Sequence, residues 1–116
     1  MPAREPDVAL LTHYRRDLHR IPEVGFDLPE TISYVRQVLE GLVGDAAGHG
    51  GKLRIGCPSK SCVCALFDAG SAHATAVRAD MDALPVVEHS GVSFASEHAG
   101  RMHACGHDGQ IGRAHV

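Results

Sequence analysis

The sequence has no tryptophan and only two tyrosines and three phenylalanines in 116 residues, so there is little aromatic surface for stacking on bases. Nor does it carry an excess of positive charge: the formal net charge is −3, which argues against a polyphosphate footprint. Long apolar runs are also absent, and no stretch approaches the roughly 20 residues needed to span a bilayer. Neither a nucleic acid nor a membrane is therefore expected as a partner. The first residues, MPAREPDVALLTHYRR, lack the apolar core of a secretory signal, which makes the cytoplasm the expected compartment. In that compartment the four cysteines are expected as core residues or ligands rather than disulfides. What the chain does have is histidine, nine in all, the commonest metal ligand among side chains.

Periodicity divides the chain. Residues 7–20 predict a helix with Val8, Leu11, Tyr14 and Leu18 on one face, ended by the Ile21-Pro22 step. A second helix is expected from Asp27, whose carboxylate would cap the first turn, with Pro29 inside that turn and Glu30 three residues on. Its apolar stripe is Ile32, Val35, Val38, Leu39 and Leu42. The glycine-rich stretch 44–51 reads as a loop. Short runs of β-branched or small apolar residues at 52–55, 61–67 and 74–79 then predict strands, the last two joined as a hairpin through DAGSAH. Helices followed by strands point to an α/β or α+β layer arrangement.

Two short clusters carry chemistry. In "VRADMDALP", Asp80 and Asp82 stand two apart, so an extended backbone would turn both carboxylates to one side. A solvated turn with a helix cap explains the same D-x-D. In "HACGHD", Cys105 and His107 flank a flexible Gly106, a thiolate and imidazole suited to Zn²⁺ or Mn²⁺, and Asp108 could orient the His107 ring. A structural Cys beside a surface His is the plain alternative. Cys57, Cys62 and Cys64 resemble a zinc knuckle, yet Cys62 and Cys64 fall in SCVCALF on the side shared with Leu66, as small apolar residues of a buried strand face would. His13 and His19 are expected as solvated helix residues; His49, His73, His89 and His98 fall in loops.

Taken in order, "DLHRIPEVGFDLPET", "VRADMDALPVVE" and "GRMHACGHDG" resemble the zinc aminoacylase/carboxypeptidase family, most closely its hippurate hydrolase and indoleacetyl-amino-acid hydrolase branch. The resemblance covers roughly residues 10–109. It implies an α/β fold, the N-terminal part of a metallopeptidase-like catalytic domain with two helices and then strands of a mixed sheet. It further implies two divalent ions (Zn, Mn or Co), an inserted domain that mediates homodimerisation, and hydrolysis of the amide bond of N-acyl amino acids by a metal-activated water. Cys105 and His107 would be metal ligands, Asp82 the supporting acid, and His103 and Asp108 groups that hold the ligands in place without touching the metal. Asp80 stands where other branches have a ligand histidine, and no role is assigned to it.

The family's catalytic Glu pair and remaining ligands lie further downstream and have no counterpart here. The 116-residue chain is therefore expected to be an inactive N-terminal portion of such an enzyme. Residues 1–109 would belong to the catalytic domain and 110–116 would be a non-native tail. The family pattern continues H-D-G-H, whereas this chain reads Gln110 and then Ile-Gly-Arg-Ala-His-Val. Those six residues are the translation of ATC GGA AGA GCA CAC GTC, a run found in a common short-read sequencing adapter. The rival expectation is a small non-catalytic zinc-binding or interaction module built on Cys57, Cys62 and Cys64.

Overall fold

The computed structural model describes residues 7–105, which fall into two compact units. One is built from residues 7–24 and 77–105, the other from Gly25–Ala76. The tail expected at 110–116 lies outside the described residues.

In the first unit, α1 spans Val8–Arg20. Its start is fixed by Asp7, whose Oδ1 accepts the Leu10 amide at 3.0 Å and satisfies one of the donors a helix leaves open at its N-terminus. The Ile21 amide closes the last turn on Leu18 O at 3.2 Å, and buried Pro22 then stops the helix. Beyond α1 this unit has no further helix and no ladder among the described residues, only a bridge between Leu84 and Met102. Backbone bonds tie its segments instead: the Ala83 amide to Glu23 O at 2.7 Å, and the Glu97 amide to Arg20 O at 2.8 Å.

The second unit is regular. Helix α2 spans Pro29–Gly41 with Leu28, not Asp27, at its N-cap and no side-chain cap bond. Leu28 is buried, and its amide bonds Lys60 O at 3.0 Å, so the chain enters the helix one residue later than a cap at Asp27 requires. Pro29 sits where its missing N–H costs nothing. The expected stripe is half-buried at Ile32, Val35, Val38 and Leu39, while Leu42 is exposed.

The glycine-rich stretch is not a loop throughout, since Val43–Gly48 forms a short helix, α3. Buried Ala46 packs this turn, and α3 rests against the strand that follows. Gly50, at φ +78°, then reverses the chain as its amide bonds Ala47 O and that of Gly51 bonds Ala46 O, both at 3.2 Å.

Strands β1 (Lys52–Ser59) and β2 (Cys62–Asp68) pair antiparallel, Lys52 opposite Asp68, Ile55 opposite Ala65 and Gly56 opposite Cys64. The hairpin thus forms one strand earlier than the sequence predicts, turning at Lys60 and Ser61, and 74–79 is not a strand. A turn accounts for this. Asp68 Oδ1 takes the Gly70 amide at 2.9 Å and Gly70 adopts φ +85°, turning the chain off the ladder. The boundary between the units, a consequence of this lack of pairing, falls inside 74–79. Helices followed by strands make the chain α/β in class, as expected. No helix among the described residues is long and apolar enough to cross a membrane.

Candidate functional site

The two motif clusters meet in the first unit. Leu84 and Met102 exchange both backbone bonds, each at 3.0 Å, as a directly opposed antiparallel pair does. This single bridge brings "DALP" beside "RMHAC", with residues 22 and 23 alongside through the Ala83–Glu23 bond. Side chains one step from the bridge, Ala83 and His103, are buried, whereas Leu84 is exposed.

The candidate residues fall out unevenly around that bridge. Asp82 is exposed. Asp80 is half-buried and accepts Arg78 Nη2 at 3.0 Å, so it is held by a neighbouring cation rather than left bare. Cys105 is a free, exposed thiol. His107 and Asp108 lie outside the described residues. Among the described residues no group of three or more His, Cys, Asp or Glu side chains is placed to hold a metal ion. Cys57, Cys62 and Cys64 are all described, and they make no such group. The buried strand face expected around them is absent too: Cys64 and Leu66 are exposed on the two-stranded sheet.

A buried polar hub that neither motif announces stands in the same unit. His19 is not solvated; its side chain is 3 % exposed, and its Nε2 donates to Glu88 Oε1 at 3.0 Å. The same Oε1 accepts the Ser96 amide at 2.8 Å, and the Ser90 hydroxyl donates to Oε2. One carboxylate, 5 % exposed, therefore takes donors from α1 and from two points of the loop that follows it. The Ser90 bond, then the Ser96 amide and the His19 ring, hold the Glu88 carboxyl below the usual carboxylate range, against the opposing pull of burial. Phe94 meets the His19 ring edge-on at 5.8 Å and lies 4.7 Å beneath the Arg16 guanidinium. The His19 ring also stands 6.4 Å from that of His103, two residues before Cys105. The available signal was slight. His19 borders the apolar face of α1 next to buried Leu18, but its partner is 69 positions away, beyond any periodicity.

Residues 76–114 match the family model described as Peptidase family M20/M25/M40. N-acetyldiaminopimelate deacetylase of Streptococcus gordonii is 43% identical over 96 residues, 81% of this chain and 24% of that protein. An uncharacterized hydrolase of Staphylococcus aureus is 35% identical over 103 residues, 89% of this chain and 24% of that one. A solved structure of a dinuclear metal binding peptidase from the M20 family, from Bacillus subtilis, superposes with a TM-score of 0.69 at 37% identity, over 86% of this chain and 26% of that chain. The chain thus spans about a quarter of the length of these relatives, and over that quarter it is similar to members of the M20 peptidase family.

Proposed function

We infer that this chain belongs to a metal-dependent amidohydrolase that cleaves the amide bond of N-acyl amino acids, hippurate-like substrates among them. The observation that carries the reading is the Leu84–Met102 bridge, which sets the segment bearing Asp82 beside the one bearing Cys105. The names of the relatives support it: one removes an acetyl group from an amino-acid derivative, and another binds two metal ions.

Donor chemistry fits the ions. Cys105 offers an exposed thiol and His107 an imidazole two residues on, donors suited to Zn²⁺, Mn²⁺ or Co²⁺, with the exposed Asp82 carboxylate as the supporting acid. Bound there, two such ions supply Lewis-acid polarisation of the scissile carbonyl and activation of water. This chain's own residues do the holding: the bridge keeps the two segments in register, and Ala83 and His103 anchor it from the buried side. The proton-shuttling glutamate comes from the downstream Glu pair that the family resemblance implies.

The test is hydrolysis of hippurate and N-acetyl amino acids by this chain and by the longer gene product, each with Mn²⁺ and with chelator. Turnover is expected only from the longer protein, only with metal, and is lost in Cys105→Ala. Turnover that survives both chelation and Cys105→Ala overturns the reading.

A further inference from the structure

The hairpin carries a feature that the amidohydrolase reading does not use. Cys62 and Cys64 stand two apart on β2, hence on one face, with their sulfurs 3.7 Å apart and no disulfide between them. Opposite Cys64 on β1 is Gly56, where a side chain would meet nothing within 4 Å, so the pair is approached freely from that side. Cys57 falls where the register shifts between Gly56 and Ser59, and its sulfur takes Arg36 Nη1 at 3.9 Å. The three thiols thus divide into one engaged by a guanidinium and two that face each other.

We propose that Cys62 and Cys64 form a dithiol capture site for a trivalent arsenical, R–As=O, which closes across the two sulfurs. Two S–As bonds form and the As=O bond breaks. Both thiol protons leave with the oxygen as water, and no atom changes oxidation state. Geometry selects this ligand class. Tetrahedral Zn²⁺ needs about four protein or water donors, and this site gathers only two thiols. A linear two-coordinate ion needs its sulfurs further apart than these, whereas pyramidal arsenic holds its sulfurs close to contact. Direct disulfide formation is disfavoured: residues two apart on a strand have Cα atoms about 6.7 Å apart, at the long end of the about 4.4–6.8 Å that a disulfide spans. The neighbouring Cys64 thiol, then burial and the Cys57 sulfur, push the Cys62 thiol up.

Phenylarsine oxide is the probe, titrated into the reduced chain with a monothiol in excess and followed by intact mass and peptide mapping. One equivalent is expected on the peptide holding Cys62 and Cys64, released by a small dithiol. Because the second S–As bond is intramolecular, Cys62→Ser and Cys64→Ala are each expected to weaken capture about 100-fold or more. Cys57→Ser and Cys105→Ser should bind as the parent does. Capture that persists in Cys62→Ser, that needs Cys57, or that never reaches one equivalent overturns the proposal. Helical circular dichroism identifies any variant that has merely unfolded; the other substitution at the pair then decides. None of these readouts depends on metal or turnover, so the site stands or falls apart from the amidohydrolase reading.

Discussion

The two units of this chain solve the burial problem in opposite ways. Residues 25–76 form helices and a ladder whose backbone bonds are local, yet Leu66 and Phe67 remain about half exposed, at 48% and 49%. The other unit has one helix and one bridge, but it buries a His, two carboxylate side chains and a second His: His19, Glu23, Glu88 and His103. Regular structure thus goes with a small core of uncharged side chains, Leu28, Thr31 and Ala46, and irregular structure with one that takes in ionisable groups. The reason is that a loop needs other partners for its backbone groups, and here the Glu88 carboxylate supplies one of them by accepting the Ser96 amide.

Glu88→Ala should therefore be strongly damaging. It strands the Ser96 amide and removes the acceptor of both His19 and Ser90, for a loss of about 2–3 kcal/mol. Denaturant unfolding should show the loss, and hydrogen exchange should place it at the Leu84, Ser96 and Met102 amides while those of α2 keep their protection. Uniform loss across both units would mean that they do not differ as described. Glu88→Gln, which keeps an acceptor, should cost less.

Acid should separate the units in the same way. Because the folded Glu88 carboxyl titrates below its ordinary range, its contribution is fully present above that range. It is then lost as pH falls through the lowered folded value. Parent stability should therefore show an acid limb that Glu88→Gln lacks; identical pH profiles would remove Glu88 from the account.

The regular unit has its own weak point where backbone and ring meet. A Cβ at Gly51 would overlap the Phe67 ring and stand 3.0 Å from Asp68 O. Gly51→Ala should cost about 1–2 kcal/mol by overpacking, with Phe67→Leu relieving part of it in the double variant. Simple additivity of the two changes would show that the ring contact is not what matters.

Legibility in the sequence followed the same division. Helix α1 and most of α2 were readable because their signals repeat every three or four residues and are stabilised within the helix itself. The hairpin was displaced by one strand, since 52–55, 61–67 and 74–79 all carry strand composition and only the turn at Asp68–Gly70 decides which of them pair. The short helix in 43–48 was hidden by its glycines. At the site, motif order named Asp82 and Cys105, but nothing in their spacing foretold the Leu84–Met102 bridge or the burial of His19 on Glu88. Those contacts join segments far apart in sequence, where no period exists to be read.

The smallest expected effect tests that division at its finest grain, by comparing two aspartates with the same sequence signature. Both Asp7 and Asp27 stand just ahead of a helical apolar pattern, and aspartate is a residue type that caps helices. Only Asp7 makes the bond, to the Leu10 amide at 3.0 Å; at the second helix the cap position belongs to buried Leu28. Asp7→Ala should therefore cost about 1 kcal/mol, while Asp27→Ala should stay within about 0.5 kcal/mol, as an exposed substitution without a partner does. Urea midpoints of the two variants are enough to decide. Equal losses would mean that Asp27 also caps its helix in solution, and that the local signature outweighs the burial of Leu28. The expected inequality means that tertiary burial chose the start of α2, even in the unit where local signals otherwise rule.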